Sequence, residues 1–266
     1  MKKISCLGPK GSYSELAAER FGGGDAEIVL CRNFAETIRK LESGETDYAA
    51  IPIENSIQGG VLQNLDLLER SDVFAEEELV LPIDHRLALK KGVSLAQIIR
   101  VYSHEQAIGQ CAEFLRAKLP NAQCVHTSST AESLSKLDEN SAGIVGAHVR
   151  AEGVVLSAEN IADEKKNFTR FLRLTRAAER TELSSRMIFL CAVLKHEPGA
   201  LFRFLHIFAE GGVNLTRIES RPIKDVFGEY RFFIEFEGDI SDGKVKRLLQ
   251  TAEADCAQFR ILGAYD

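Results

Sequence analysis

The chain has 266 residues, 45% of them hydrophobic and 27% charged, and a net charge of −6. That length suits two domains or one large one, and the composition is that of a globular protein rather than a disordered or fibrous one. The acidic balance and the lack of a dense Lys/Arg block argue against nucleic-acid binding, and no apolar run approaches a membrane span. The opening Met1-Lys2-Lys3-Ile4-Ser5-Cys6-Leu7-Gly8 is basic, but its apolar part is too short for a signal peptide and reads as a first strand. Cys6, Cys31, Cys111, Cys124, Cys191 and Cys256 show no CxxC pair and no metal-ligand spacing. Scattered thiols of this kind predict a cytoplasmic protein without structural disulfides or zinc.

Along the chain, short apolar runs alternate with helical patterns up to about residue 175. Residues 4–7 predict a strand, 14–21 a helix and 27–30 a strand. Asn33-Phe34-Ala35-Glu36 is a capping box opening a helix to about residue 43. Residues 48–53 predict a buried strand and 61–68 a helix. After Pro82 the rhythm repeats, with strands at 101–103, 122–126 and 142–145 and helices at 106–118 and 131–137. Such alternation predicts a parallel sheet with helices on both faces. It occurs twice, over about 1–80 and about 85–160, and a strand at 168–174 follows, which predicts two α/β lobes with the last strand returning to the first. A cleft between lobes is a natural place for a small ligand. The polar stretch 176–184 predicts a linker. Beyond it, strand 187–194, helix 199–210, strands 213–222 and 230–236 joined through 225–228, helix 241–254 and strand 259–262 give β-α-β-β-α-β. Its sheet is expected to carry helices on one face and to leave the other face or an edge for a partner or ligand.

Several strand-to-helix corners carry chemistry. Gly8-Pro9-Lys10-Gly11-Ser12-Tyr13-Ser14 brings backbone close to a ligand and offers unpaired N–H groups, which suits a carboxylate or phosphate, although it equally reads as a plain turn. It matches neither GxGxxG nor a Walker loop. Pro52-Ile53-Glu54-Asn55-Ser56-Ile57-Gln58-Gly59-Gly60 ends a buried strand in polar groups, and two glycines then open a helix. Ser103-His104-Glu105-Gln106-Ala107 and Thr127-Ser128-Ser129-Thr130 repeat the design in the second lobe. Facing one cleft, these corners make an electropositive lining with few Lys or Arg, fit for a small multiply anionic ligand. His85, His126 and His148 show no recognisable partners in the sequence. Asn167-Phe168-Thr169-Arg170-Phe171 sets a hydroxyl beside a guanidinium between aromatic rings as a strand leaves a charged loop.

Together these stretches resemble monofunctional prephenate dehydratase over nearly the whole chain. The glycine loop resembles residues 8–14, with Ser12 where threonine is usual. Glu-Asn-Ser with its glycines is similar to 54–60, Ser-His-Pro-Gln to 103–106, and Thr-Arg-Phe matches 169–171 in full. Gly-Ala-Leu at 199–201 and Glu-Ser-Arg-Pro at 219–222 resemble an ACT regulatory domain. Glu105 departs from the family proline. The chain starts with the first strand, so the chorismate mutase segment fused to some members is expected to be absent. The implied fold class is α/β, a two-lobed periplasmic-binding-protein-like catalytic domain plus a ferredoxin-like βαββαβ ACT domain. The implied domains are 1–176 (lobe 1 about 1–80 plus 167–176, lobe 2 about 81–166) and 185–266.

The resemblance implies decarboxylating dehydration of prephenate to phenylpyruvate, with no metal or organic cofactor. Thr169 is implied to meet the departing hydroxyl as a hydrogen-bond donor, and Phe168 and Phe171 to exclude water. Arg170 either pairs with a substrate carboxylate or braces the strand through a buried ion pair. Substrate binding is implied for Gly11, Ser12, Asn55, Ser56, Gly59, Gly60, Ser103, His104, Gln106, Thr127 and Ser128. Glu54, a carboxylate beside a dianion, has to be neutral or turned aside. Phenylalanine is the implied effector, binding at a subunit junction of a homodimer or homotetramer through Gly199, Ala200, Leu201, Asn214, Leu215, Glu219, Ser220, Arg221 and Pro222. Arogenate dehydratase shares the reaction type on the amino acid, with Glu105 a candidate to hold an ammonium. A non-catalytic amino-acid sensor is the other alternative, and the intact Thr-Arg-Phe argues against it.

Overall fold

The computed structural model describes residues 1–180, 185–223, 226 and 228–266. The chain runs through β1 (Lys3–Leu7), α1 (Tyr13–Phe21), β2 (Glu27–Cys31), α2 (Phe34–Glu42), β3 (Tyr48–Asn55), β4 (Gly59–Gly60), α3 (Leu62–Arg70) and β5 (Val73–Pro82). Next come β6 (His85–Lys90), β7 (Arg100–Ser103), α4 (Glu105–Gly109), α5 (Ala112–Lys118), β8 (Gln123–His126), β9 (Ser141–Gly146) and β10 (Val154–Leu156). β11 (Phe168–Arg176) precedes β12 (Met187–Leu194), α6 (Ala200–Glu210), β13 (Leu215–Pro222), β14 (Tyr230–Glu237), α7 (Gly243–Ala254) and β15 (Cys256–Tyr265). The architecture is α/β, and the last six elements form the βαββαβ unit. The linker expected at 176–184 begins as the end of β11 and a 3-10 turn, and residues 181–184 lie outside the described residues, as do 224, 225 and 227 of the expected 225–228 connection.

Two sheets organise the molecule. One has the order β10-β6-β9-β7-β8 and belongs to the second lobe. The other runs β13-β14-β12-β15-β5-β11-β3-β1-β2, with β4 on β3, and so joins the first lobe to the C-terminal unit. The join is a single parallel pairing of Gly263 with Ala75, where a Cβ on residue 263 would come 2.6 Å from the Ala75 Cβ. Both sheets are mixed rather than parallel, because β11 runs antiparallel to both β3 and β5, and β6 antiparallel to β9 and β10. β11 pairs with β3 and β5, in the sheet that holds β1 and β2.

Four strands, β4, β5, β6 and β10, are not among those expected from the sequence. Of these β5 sits mid-sheet, where Arg173 and Arg170 from β11 pair with its Glu77 and Glu78. The helix expected over 106–118 is broken into α4 and α5 at Gln110–Cys111, and the segment expected as a helix at 131–137 is 3-10. Gly59 and Gly60 do not open a helix but pair with Asn55 and Glu54 as β4, with Gly59 at φ +79°.

Alternation in the large sheet separates two apolar layers. Ala50, Leu81 and Phe171 pack with Ala17, Ala18 and Phe21 of α1. Ile51, Ile53, Leu172 and Leu174 pack with α2 and α3, and the same cluster takes in Phe189, Cys191, Phe233, Leu262 and Tyr265 of the C-terminal unit. The face of the C-terminal sheet expected to be open is thus covered by the first lobe, while α6 and α7 cover the other face. Burial pushes the thiols of Cys6, Cys111 and Cys191 up to about 12, leaving them protonated core side chains. No helix among the described residues is long and apolar enough to cross a membrane.

Candidate active site

A cavity of about 310 Å³ lies between the lobes. Leu7, Gly8, Ser12, Tyr13, Ser14, Pro52, Asn55, Asn167, Thr169 and Phe171 line it from the first lobe. Ile83, His85, His104, Gln106, Ala107, Gln110, Ser128, Ser129 and Thr130 line it from beyond β5. Among the described residues, no Asp, Glu, Lys or Arg lines it. The cavity is polar without being charged.

Its central feature is a hydrogen-bond chain whose direction is set at one end. The Asn55 Oδ1 accepts from the backbone N–H groups of Ile57 and Gln58, both at 3.1 Å. Its Nδ2 therefore faces Asn167 Oδ1 at 2.8 Å, the Phe168 carbonyl at 3.1 Å and Thr169 Oγ1 at 3.0 Å. With Asn167 Oδ1 accepting, Asn167 Nδ2 donates to Gln110 Oε1 at 3.2 Å, and Gln110 Oε1 also accepts from His85 Nε2 at 2.8 Å. The direction assigns the Nε2–H tautomer to His85. Burial lowers the pKa of this imidazole, which favours the neutral form. Because Thr169 Oγ1 accepts from Asn55, its own O–H is left to point elsewhere. Thr169 and Phe171 lie on the cavity side of β11.

The lobes are tied near this chain. The Tyr13 hydroxyl donates to the Asp84 carbonyl at 2.8 Å and accepts from the Asp84 N–H at 2.9 Å. Burial pushes its phenol up to about 12, so it stays neutral. The Tyr13 ring packs 4.5 Å from that of His148, whose Nε2 donates to the Gly11 carbonyl at 3.1 Å. His85 and His148, unpartnered to the eye in sequence, thus have partners across the chain fold.

The other expected site residues divide by where they point. Ser12, His104, Gln106 and Ser128 line the cavity with Asn55 and Thr169. Ser12 Oγ also caps α1 by accepting from the Glu15 N–H, and His104 Nδ1 caps α4. Gly11, Ser56, Gly59, Gly60, Ser103 and Thr127 do not line it. Gly11 donates its N–H to the Glu15 carboxylate. Ser56 Oγ accepts from the Phe168 N–H at 2.9 Å. Ser103 is fully buried and donates to the Ile144 carbonyl at 2.8 Å, and Thr127 donates to the Ser129 carbonyl at 2.7 Å. These four support the walls. Arg170 points to the opposite sheet face, where it pairs with Glu54, Glu78 and Glu235. Glu54 is turned aside to Arg170 and Arg217, and Glu105 is exposed and off the cavity. Sequence reasoning missed Tyr13, His85, Gln110 and Asn167, and the one signal for Gln110 is the Gly109 that ends α4.

In the C-terminal unit, Gly199 sits at φ +80° before α6, and Ala200 and Leu201 line a small cavity of about 170 Å³ with Tyr230 and Phe232. Asn214, Leu215, Glu219, Ser220, Arg221 and Pro222 lie outside it, at and along β13. Ser220 and Pro222 are exposed, and Arg221 pairs with Asp66 of α3 at 2.9 Å.

Residues 4–179 match the family model for prephenate dehydratase, and residues 191–254 that for the ACT domain. The chain belongs to the prephenate dehydratase family. A bifunctional chorismate mutase/prephenate dehydratase of Aquifex aeolicus (strain VF5) is 35% identical over 99% of this chain and 73% of its own length. The crystal structure of a prephenate dehydratase from Arthrobacter aurescens in complex with L-Phe superposes with a TM-score of 0.89 at 34% identity, over 99% of this chain and 89% of that one. A structure described as GqqA, a novel type of quorum quenching acylase, superposes with a TM-score of 0.87 at 26% identity, over 99% and 97%. As a prephenate dehydratase, the chain carries the family's Thr-Arg-Phe on β11, with the threonine at the cavity and the arginine behind it.

Proposed function

We propose that the interlobe cavity binds prephenate and that Thr169 donates to its departing hydroxyl. The reading rests on one observation: the Thr169 hydroxyl lines a cavity with no Asp, Glu, Lys or Arg among its described lining residues, and it accepts from Asn55, which leaves its O–H to donate. Prephenate loses carbon dioxide and water together. One carboxylate leaves as carbon dioxide, its bonding electrons enter the ring, and the ring hydroxyl departs as water with a proton. The protein's part is to hold the dianion in one pose and to stabilise charge on the departing oxygen. An aliphatic alcohol is a poor acid, so Thr169 acts as a donor to that oxygen, and the water takes its proton from solvent. His104 and Gln106 are the groups placed to meet the carboxylates. Ser12, Asn55 and Ser128 line the cavity with their donors held by Leu7, by Asn167 and Thr169, and by Glu132, and Phe171 excludes water. Gly11, Ser56, Gly59, Gly60, Ser103 and Thr127 shape the walls, and Arg170 braces the strand that carries the hydroxyl.

A keto acid fits better than an amino acid, since among the described residues no carboxylate lines the cavity to face an ammonium, and Glu105 is exposed and outside the lining. Phenylpyruvate release from prephenate, compared with phenylalanine release from arogenate, tests this; faster turnover of arogenate would contradict it. We read residues 1–176 as the catalytic domain and 185–266 as the regulatory one, and the protein as cytoplasmic. The regulatory reading has phenylalanine as effector, held by Gly199, Ala200 and Leu201 of one copy and by Asn214, Leu215 and Glu219 to Pro222 of another. β13 is an edge strand of the large sheet and offers its free side to a second copy. Activity titrated with phenylalanine on the wild type and on Ser220→Ala checks it: inhibition of the wild type and a weaker response in the variant are expected, and undiminished activity in both would count against it.

A further inference from the structure

Among the described residues, Glu235 is the one carboxylate in the buried interior, with 1% of its surface exposed. It sits on β14, in the C-terminal unit, yet its chief partner lies on the catalytic strand. Arg170 Nη2 donates to Glu235 Oε1 at 2.8 Å and to Oε2 at 2.7 Å. The Tyr265 hydroxyl at the end of β15 donates to Oε1 at 2.9 Å. A carboxylate taken out of water is costly unless paired and hydrogen-bonded, and here both conditions are met from two different strands.

The place at which Glu235 grips β11 matters. Thr169 and Arg170 pair with Asn55 and Glu54, but the register of β11 against β3 shifts between Arg170 and Phe171. Such an irregularity loosens the ladder and re-aims the side chains beside it. On its other side β11 keeps regular register with β5 from Phe168 to Arg173, so the irregularity is confined to the β3 side. There the guanidinium bridges the strands, spanning Glu235 on β14, Glu78 on β5 at 2.9 Å and Glu54 on β3 at 3.2 Å. Arg217 on β13 adds a second tie to Glu54 at 3.5 Å and sits over Gly60, where a Cβ would come 2.6 Å from its Nη2.

We infer that Glu235 is a positioning residue for the dehydration, holding Arg170 at the irregularity and so aiming the Thr169 hydroxyl from a strand of the regulatory domain. The inference rests on the reading of Thr169 as donor to the departing oxygen. It goes further in making the regulatory domain part of the catalytic apparatus before any effector binds. With the Glu235 charge removed, the guanidinium is drawn to Glu54 and Glu78 alone, and β11 turns with it.

The test compares Glu235→Gln, Tyr265→Phe, Arg170→Lys and the Glu235→Gln/Arg170→Lys double variant in the full chain, with Thr169→Val as reference. Circular dichroism and thermal melts measure the folded fraction. For Glu235→Gln the expected result is a fall in kcat of about tenfold per folded molecule with KM within about twofold, because the groups lining the cavity are untouched. Tyr265→Phe, which removes the second hold on Glu235, is expected to lower kcat by about two- to threefold. The double variant is expected to be no worse than the poorer single one, since both act through one contact. A purely structural role would lower the melting temperature and leave kcat per folded molecule unchanged. Wild-type kcat in folded Glu235→Gln, with Thr169→Val inactive, would overturn the inference. If Glu235→Gln does not fold, unchanged kcat in Tyr265→Phe overturns it. Undiminished kcat in Thr169→Val would instead overturn the reading of Thr169, and the inference with it.

Discussion

The two faces of β11 are chemical opposites. Toward the cavity, Thr169 and Phe171 join amides, hydroxyls and imidazoles, with no Asp, Glu, Lys or Arg among the described lining residues. Toward the C-terminal unit, Arg170 and Arg217 meet Glu54, Glu78, Glu219 and Glu235. The period of two along a strand makes this separation possible between adjacent residues. The carboxylates that pair with Arg170 and Arg217 are thus kept one residue away from the cavity and on the other side of the sheet. The acidic surplus at the domain contact is tolerable because it never faces the substrate.

Four substitutions or conditions break or sharpen this contrast. Arg170→Met strips the charged face of its bridging cation and leaves Glu235 buried and unpaired, so it is expected to cost roughly 3–5 kcal/mol of stability, read by chemical denaturation. Asn55→Asp carries a charge onto the neutral face. It replaces the Nδ2 donor to Thr169 with a carboxylate beside the substrate, and kcat/KM is expected to fall roughly 10²–10³-fold, about 3–4 kcal/mol. Acidification does the same to the histidines. Burial lowers the pKa of both His85 and His148 below the ordinary 6.5, so the unfolded chain takes up protons first. Their contribution to stability is present above pH 6.5 and is lost as pH falls toward the lowered folded values, so melting temperature is expected to decline over that range and the slope to flatten in His148→Gln. Glu105→Gln tests a charge that points away from the cavity, and KM for prephenate is expected to change by less than about twofold.

How far the sequence could be read follows from the same contrast. The alternation of β11, the Asn33 cap of α2 and the β-α-β-β-α-β order of the C-terminal unit are local patterns that the structure carries, although the Glu36 side chain reaches the Arg32 N–H rather than closing the expected capping box on Asn33. β5 was not legible in the sequence: Glu76-Glu77-Glu78 breaks its apolar alternation, and the arginines that pair with Glu77 and Glu78 come from β11, with Arg170 lying 92 positions from Glu78. Asn167 heads a stretch that the sequence marks for its hydroxyl and guanidinium rather than for its amide, and Gln110 lies inside a helical pattern. Both became visible when distant segments brought His85, Gln110, Asn167 and Asn55 into one chain. Arg170 was legible as a residue that either binds or braces; the choice depended on Glu235, 65 positions away on another domain's strand.

The most direct test is single-turnover release of phenylpyruvate from prephenate by Thr169→Val and Thr169→Ser. Valine keeps the shape and removes the donor, and a loss of roughly 10²–10³-fold in rate is expected for it, with serine staying within about tenfold of the wild type. A valine variant that turns over prephenate as fast as the serine variant would contradict the account.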